Sequence, residues 1–575
     1  MHHPSADKPA RRLHRFHGGL HLPDNKSQSN GQPVTRATLP KRLTIPLQQH
    51  IGEIAHPLVN VGERVLKGQM IARAQGYISA PVHASSSGTV IEIGESPVPH
   101  PSGLTAPCIV IETDGKDEWV ELPDATVHFA QLDPSELRER IRNAGIVGMG
   151  GAAFPTSVKV TPGPETWIKT LIINGAECEP YITCDDMLMR EQSDKILSGV
   201  GILQHLLEPE QVLIGIEDNK PEAITAMQEA LETGGFSNVE VVPIPTLYPS
   251  GGEKQLIRVL TGKEVPSHGI PAQIGIVCHN VGTAAAIADA VLECRPLISR
   301  YVTITGEGVA EPRNLEVLIG TSAAELIGQA GGYTDAASKL ILGGPMMGIT
   351  LQSDAVPITK GANCLLVASA KEAPDPGTAL PCIRCGQCAA ACPVQLLPQQ
   401  MYWYAKAKDL EKAQEYNLFD CIECGCCSHV CPAHIPLVQY FRYAKMESWS
   451  VEQEKRKSEH ARKRHDARVA RLERLEAERK ARLGKKKAGL KKKTAARKTA
   501  GKAADPKKAA IEAAMKRAAE KKAKLAEEGV APKNTENLTK AQQKQIDKAD
   551  ERRADSEPEA PSAAPEKPEK ESQDG

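Results

Sequence analysis

The sequence predicts a multidomain protein of mixed α/β and α+β class, with a cysteine-rich metal module in its last third and a charged tail. Three observations predict this. Helical patterns alternate with apolar strand patterns between residues 131 and 293, which indicates a mostly parallel sheet covered by helices. The pattern C-x2-C-x2-C-x3-C-P occurs twice between Cys382 and Pro432. From Val451 onward there is no Cys, Phe, Trp or Tyr, while Lys, Arg, Glu and Ala dominate.

A chain of 575 residues holds several domains at the usual size of about 100–200 residues each. Its formal charge of zero conceals a split: residues 451–575 carry 36 Lys and Arg against 23 Asp and Glu, and residues 1–450 carry 35 against 48. Nine of the 15 cysteines lie between 382 and 431, which suits a metallocluster in a reducing compartment better than a disulfide scaffold. Residues 1–8 contain no apolar signal-peptide core, and no apolar run reaches 18 residues. The protein is therefore expected to be cytosolic or peripheral, without a transmembrane segment of its own.

Residues 1–40 read as a polar N-terminal arm. His14, His17 and His21 surround Phe16-His17-Gly18-Gly19, but they are loosely spaced and lack a Cys or acidic companion, so a surface-lying arm is favoured over a metal site. Residues 41–125 carry short β-type runs with Gly turns. Within them, Val61-Gly-Glu-Arg-Val65-Leu-Lys-Gly68 and Ala80-Pro-Val82 through Gly88-Thr-Val90 resemble the two halves of a lipoyl- or biotinyl-type barrel sandwich. Carrier domains of that type present a modified Lys between the halves. Residues 70–79 contain no Lys, so the resemblance implies the fold, used for packing or docking, without covalent carriage.

In residues 126–295, helices are expected at 137–142, 194–207 and 220–233, and strands at 167–173 and 211–216. Ligands on such sheets sit at the carboxyl ends of strands, where Gly-rich loops let backbone amides approach phosphates. Two loops have that composition: Gly145-Ile-Val-Gly148-Met-Gly150-Gly151, leading to Lys159, and Tyr248-Pro-Ser-Gly251-Gly252-Glu253-Lys254. Each taken alone is as consistent with plain turn geometry as with a ligand site. Cys178 and Cys184 are expected to be small buried side chains, since their spacing matches no common metal site.

A β-rich module with a helix at 322–330 is expected in residues 296–355, followed by the connector Gly343-Gly-Pro-Met-Met-Gly348 and a linker through Gly377. Residues 370–447 hold the twin cysteine motifs. Three thiolates two residues apart wrap one corner of a cubane, and the fourth Cys, followed by Pro, reaches the other cluster in two-cluster ferredoxins. Cys382, Cys385, Cys388 and Cys431 are accordingly assigned to one 4Fe-4S cluster, and Cys421, Cys424, Cys427 and Cys392 to the second. Cys426 is the spare; it competes with Cys427, but the x2 spacing favours Cys427. Zinc sites pair C-x2-C hooks or Cys with His and have no use for the doubled third and fourth thiols. A helical spacer is expected at 397–417, with Tyr402, Trp403 and Tyr404 as core packing that also shields the clusters. Residues 448–575 are expected to be a disordered charged tail, with room for a charged single helix, because they cannot bury enough apolar surface to offset their ordering entropy.

The first glycine loop is similar to the flavin-binding loop of the NADH-oxidising flavoprotein subunit of respiratory complex I, and Asn174-Gly-Ala176-Glu177-Cys178-Glu179-Pro180 is similar to its Asn-Ala-Asp-Glu-Ser-Glu-Pro segment. With the barrel sandwich before and the twin ferredoxin motifs after, residues from about 15 to 445 resemble the C-subunit family of Rnf (Rsx) ion-translocating electron transport complexes. That resemblance implies a Rossmann-like flavin/NADH domain, a soluble-ligand-binding β-grasp module and a two-cluster ferredoxin-type domain.

By position, the resemblance implies that Gly148, Gly150 and Gly151 bring amides onto the FMN phosphate and ribityl chain. It further implies that Lys159 reaches the flavin or its phosphate, that Asn174 bonds the isoalloxazine edge, that Glu177 lies beside the nicotinamide, and that Asn280 lies near the phosphate. Glu253 matches the second Glu of a Gly-Glu-Glu loop. Ala176 and Gly252 replace acidic residues of the complex I pattern, which supports flavin binding better than the details of NADH recognition.

The implied function is electron transfer between NAD(H), FMN and two 4Fe-4S clusters, because a flavin joins two-electron hydride chemistry to one-electron clusters. The implied setting is the cytoplasmic face of the bacterial inner membrane, bound to integral-membrane and other members of the complex that move the ion, with ferredoxin as a further partner. The basic tail suits an anionic leaflet or acidic partners; without aromatics for base stacking, nucleic-acid binding is disfavoured. Two alternatives stay open: a soluble NADH diaphorase component, and a non-enzymatic iron–sulfur adapter.

Overall fold

The computed structural model describes residues 11–123, 129–163, 166–236, 238–499 and 506–527, with the isolated residues 543 and 547. The first ten residues of the expected arm and nearly all of the tail past residue 527 lie outside the described residues. Packing divides the chain into one unit through Ser458 and a second from Glu459.

Residues 42–113 fold as two small facing sheets. Strands Arg42–Pro46, Thr105–Thr113, Gly88–Pro97 and Arg64–Val65 make one, and His56–Pro57, Met70–Arg73 and Val82–His83 the other. Their inward residues Leu43, Ile45, Val65, Ile71, Val90, Ile109 and Ile111 are fully buried, as two-residue alternation requires. Lys67 is no exposed carrier: it is buried, 2.6 Å from Asp117 and over the ring of Trp119.

The central domain is a four-stranded, wholly parallel sheet in the order Val239–Ile244, Gln211–Glu217, Thr170–Gly175, Ile276–Asn280. Helices Pro134–Asn143, Ser193–Leu207, Pro221–Gly234, Glu253–Thr261 and Val281–Leu292 pack around it. Strand Thr170–Gly175 starts three residues later than the apolar run suggests, because Trp167 is exposed. Its chain-neighbour strand runs to one side and Ile276–Asn280 lies on the other. The order therefore reverses between these two strands, and a crevice forms beyond their carboxyl ends. Helices 193–207 and 281–292 cross so closely that a Cβ on Gly199 would lie 1.8 Å from the Ala284 carbonyl oxygen.

The third sheet has the order Thr35–Arg36, Arg313–Leu318, Ser299–Thr305, Cys364–Ser369, Ala337–Leu342, Ile349–Thr350. Two of its strands come from outside the expected 296–355. Strand Cys364–Ser369 is buried along its whole length in the middle of the sheet, and Thr35–Arg36 is lent by the N-terminal arm. Ser322 caps helix Ala323–Gln329 by accepting from the Glu325 amide.

In the cysteine module, positive φ recurs at a spacing of 39 residues: Arg384 and Glu423, Gly386 and Gly425, Gln395 and His434. The two motifs thus share one backbone trace. The spacer expected as one helix at 397–417 is two, Pro398–Lys406 and Leu410–Glu415, because Lys408 adopts φ +59° and Asp409 starts a new helix as its cap. Of the three aromatics there, Tyr402 is buried against Tyr440, Tyr404 is half-buried against Tyr416, and Trp403 is exposed.

The final helix of the module is Leu437–Thr499, and Pro506–Glu527 is helical as well, so the helical part of the tail is far longer than its composition suggests. From residue 451 to 496 every side chain is exposed. Such a helix rests on the high propensity of Ala, Leu, Glu, Lys and Arg, and on i,i+4 pairs such as Glu476 with Lys480. No helix among the described residues is long and apolar enough to cross a membrane.

Two outcomes follow from this packing. Gly199→Ala is expected to destabilise the central domain by about 1–3 kcal/mol, read as a lower urea midpoint, since a backbone carbonyl cannot yield as a side chain can. Lys360 is fully buried between the carbonyls of Pro81 and Gly145, and burial lowers its pKa from 10.5 to about 7. Between pH 7 and 9 the unfolded chain holds this proton and the folded chain releases it. Wild type is therefore expected to gain stability over Lys360→Met by roughly 1 kcal/mol per pH unit in that window, and to show its full deficit below pH 7.

Candidate redox site: two cysteine cavities and a glycine-lined crevice

The cysteine motifs fold so that each lends its last thiol to the other. Cys382, Cys385, Cys388 and Cys431 line one cavity, with Tyr402, Ile435 and Leu437. Cys392, Cys421, Cys424 and Cys427 line the other, with Met401, Val438 and Phe441. Cys426 also borders the second cavity but belongs to the apolar core that includes Tyr248 and Ala391. Its hydrogen bond with Cys424 lowers the pKa of the Cys424 thiol and raises its own.

Burial raises the Cys388, Cys392 and Cys427 thiols and pushes Cys421 up to about 11. These groups bind as thiolates only against a compensating positive charge, which iron supplies. Four thiols in the first cavity, and four besides Cys426 in the second, fit a cubane each, and the amide of Leu396 donates to Cys392 Sγ at 3.4 Å. Lys445 donates to the Cys421 carbonyl at 2.7 Å and pairs with Glu423, which tethers the second motif to the last helix.

The crevice lies where the strand order reverses. Asn174 and Asn280, at the carboxyl ends of their strands, are direct register partners across it. Asn280 caps helix Val281–Leu292: its Oδ1 accepts from the Gly282 amide at 2.8 Å, and its Nδ2 donates to Asp185 at 2.6 Å. Asn174 donates to the Gly251 carbonyl at 2.8 Å and so ties the second glycine loop to the first strand.

The first glycine loop is held at both ends. Gly148 donates to the Phe154 carbonyl, the Met149 amide donates to Thr283 Oγ1, and Arg300 donates to the Met149 carbonyl. Between these anchors Gly150 faces Asn280, and Gly151, at φ +104°, opens on empty space. Lys159 reaches across to Glu253, at the start of helix Glu253–Thr261, and to the Cys278 carbonyl, at 2.6 and 3.1 Å.

This cradle of glycine backbone, a helix N-terminus, two amide side chains and a lysine fits the phosphate and polar edge of a flavin mononucleotide. Gly150, Gly151, Lys159, Asn174, Glu253 and Asn280 thus lie together at these strand ends, whereas Gly148, expected to offer its amide to the phosphate, spends it on the Phe154 carbonyl.

Glu177 is turned elsewhere. Its buried carboxylate accepts from the amides of Asp185 and Asp186, at 2.6 and 3.2 Å, which caps helix Cys184–Glu191. Burial raises its pKa to about 7, opposed by Lys26. It is linked to Asn280 through Asp185, from whose amide it accepts and whose carboxylate accepts from Asn280. Ala176 is fully buried, and a Cβ on Gly251 would lie 3.4 Å from its own, so the space of a larger acidic residue is taken up by core.

Sequence reading missed Asp185, Lys26 and Tyr248. Lys26, in the polar arm, is buried and donates to the carbonyls of Glu177, Glu179 and Ile182. None of the three sits in a recurrent motif; their partners are remote in sequence or set by a tight loop. The signals available were the adjacency of Asp185 to the Asn174–Pro180 segment and the place of Tyr248 at the head of the second glycine loop.

Comparison with known proteins matches four stretches of the chain. Residues 14–116 match the RnfC barrel sandwich hybrid domain, 141–289 the Nuo51 FMN-binding domain, 301–350 the SLBB domain and 381–435 the 4Fe-4S dicluster domain. The second match spans every crevice residue named above, and the fourth spans all eight cavity cysteines.

The C subunit of the ion-translocating oxidoreductase complex of Pseudomonas aeruginosa is 51% identical over 472 residues, 82% of this chain and 60% of that protein. Its counterpart in Haemophilus influenzae (strain PittEE) is 46% identical over 465 residues, 81% of this chain and 71% of that protein. The chain thus spans about 60% of the length of the Pseudomonas relative. Among solved structures, an NAD+-reducing NiFe-hydrogenase in the H2-reduced state is similar at 19% identity and a TM-score of 0.41, over 55% of this chain and 64% of that one.

The exchange of the last cysteines has a direct test. Cys392→Ser is expected to abolish the same EPR signal as Cys427→Ser, and Cys431→Ser the same signal as Cys382→Ser, each with loss of about half the iron. Cys426→Ala is expected to keep both signals. Pairing of Cys392 with Cys382 in these spectra would refute the exchange.

Proposed function

Because the chain belongs to the C-subunit family of ion-translocating oxidoreductase complexes, we propose that it is the peripheral electron-transfer component of such a complex. In this role it passes electrons between NAD(H), FMN and two 4Fe-4S clusters while other members of the complex move the ion. The observation that carries this reading is the pair of cysteine-lined cavities in the same unit as the glycine loops, with Tyr248 of the second loop bonded to Cys424.

When bound, FMN exchanges two electrons with a nicotinamide and one at a time with a cubane, so it links the two chemistries. The amides of Gly150 and Gly151 and the N-terminus of helix Val281–Leu292 favour its phosphate, while Gly148, whose amide is held by the Phe154 carbonyl, shapes the loop. Lys159, with Glu253 as counter-ion, places a fixed positive charge at the crevice, and Asn174 and Asn280 set the spacing of its walls. Cys382, Cys385, Cys388 and Cys431 hold one cluster, and Cys392, Cys421, Cys424 and Cys427 the other. Attachment is to the cytoplasmic face of the inner membrane through integral-membrane partners, helped by a basic tail attracted to an anionic leaflet.

A second reading is favoured by one specific observation. Ala176, buried in the core, stands where the complex I pattern has an acid, and Glu177, the acid expected beside a nicotinamide, caps a helix instead. In that reading the chain conducts electrons without binding NADH itself.

Anaerobic mixing of the FMN-loaded, cluster-reconstituted chain with NADH, followed by EPR of the frozen product, separates the two. Flavin bleaching and then reduced-cluster signals are expected. Clusters that respond to dithionite but not to NADH would transfer the nicotinamide step to another protein of the complex.

A further inference from the structure

The histidine-containing arm is unexplained by electron transfer as described so far, and it does not form a metal site. His14 packs against Gly262, His21 is exposed and His17 points elsewhere, so the three do not converge. Instead the arm threads between the central domain and the cysteine module. Leu13 and Phe16 pack on the core beneath helix Glu253–Thr261, and the His14 amide donates to the Val259 carbonyl.

The next residues lie on the module. His17 Nδ1 is 2.9 Å from the Cys392 carbonyl oxygen, which only accepts, so this nitrogen carries the proton. The Gly19 amide donates to the Ala391 carbonyl at 3.1 Å. At Gly18, φ is +64° and a Cβ would lie 2.6 Å from the Ala391 carbonyl, so only glycine passes. Leu20 then exchanges backbone hydrogen bonds with Tyr248, at 2.8 and 3.0 Å.

Tyr248 is buried and donates its hydroxyl to the Cys424 carbonyl at 2.7 Å. It lies three residues before Gly251, whose carbonyl Asn174 holds at the crevice. Two cysteines of the same cavity, Cys392 and Cys424, are therefore gripped through their carbonyls by residues outside the cysteine module, and the two grips are themselves paired at Leu20 and Tyr248.

We propose that the arm segment His17-Gly18-Gly19-Leu20 and Tyr248 form a seat that fixes the Cys392/Cys421/Cys424/Cys427 cluster at the flavin crevice, as positioning residues for electron transfer between them. The seat rests on the electron-transfer function proposed above. Its residues make and break no bonds; they set separation and the dipoles around one cluster, and hydrogen bonding near the sulfurs tunes cluster potential.

The test uses the full chain, loaded with FMN and iron, as wild type, His17→Phe, His17→Gln, Tyr248→Phe and the control His21→Ala. Iron and flavin content, an EPR-monitored redox titration and the rate of cluster reduction after flash photoreduction of the flavin are measured for each. His17→Phe and Tyr248→Phe are expected to move the signal and potential of one cluster alone, the one lost in Cys427→Ser. They are also expected to slow its reduction by about tenfold, the lower end of what outer-shell changes cost at metal sites. His17→Gln, which can still donate to the carbonyl, is expected to recover most of the rate, and His21→Ala to match wild type.

If wild type transfers electrons but neither cluster responds to His17→Phe and Tyr248→Phe, or both respond alike, the seat is wrong. If reduced flavin in wild type reduces neither cluster, the electron-transfer function fails, and the seat with it.

Discussion

Groups held in separately folded domains keep a fixed separation when the packing between those domains is rigid. In this chain that packing converges on one buried phenol. Tyr248 pairs with the arm through its backbone, donates to the Cys424 carbonyl through its hydroxyl, and begins the loop that Asn174 ties to the crevice. Around it, Ala391, Cys424 and Cys426 close an apolar core that also includes Leu20, Cys178 and Met346. The same core thus touches the arm, the central domain, the third sheet's connector and the cysteine module. An apolar contact alone would tolerate sliding; the directional hydrogen bonds to cysteine carbonyls do not.

A second constraint lies just behind it, in buried charge. The loop from Ala176 to Ile182 carries positive φ at Glu177 and Tyr181, and its carbonyls face inward. Lys26 satisfies three of them, and Lys220, fully buried, satisfies that of Ala176 while pairing with Glu217 at 2.9 Å. Glu179 takes the amides of Met346 and Met347, and its burial raises its pKa to about 7. Buried charges are costly unless paired, so each of these groups defines one arrangement of its neighbours, and removing one partner strands the other. Lys360 does the same between the barrel sandwich and the first glycine loop. These loops are therefore positioned by buried lysine side chains bonded to their carbonyls rather than by regular secondary structure.

The cysteine module works on a simpler rule. A repeat of 39 residues places Arg384 and Glu423, and Gly386 and Gly425, in the same backbone conformations, so each motif presents three thiols from one turn and the fourth from a short helix end. Neither half can complete its own cavity, and the two must fold together. The environments still differ. The second cavity borders the central domain and has three of its four cysteine carbonyls bonded by His17, Tyr248 and Lys445, whereas Cys385 and Ile383 of the first are exposed.

The sequence by itself determined the features that local geometry encodes. Thiol spacing within a single turn marks a cluster ligand set, alternation of helical and strand periods marks the parallel sheet, and glycine runs mark the loops over its edge. The grouping of Cys431 with Cys382, Cys385 and Cys388, and of Cys392 with Cys421, Cys424 and Cys427, around two cavities follows the same spacing, since each last cysteine follows its own motif at a set distance. Only tertiary structure decided what depends on contacts between distant residues. It set Asn174 opposite Asn280, turned Glu177 onto a helix end, inserted Cys364–Ser369 into the third sheet and led the arm from surface to core. His17 meets Cys392 across 375 residues, and Lys26 meets Glu177 across 151. A pairing at that range leaves no periodicity along the chain, because it is fixed by how the domains close on one another.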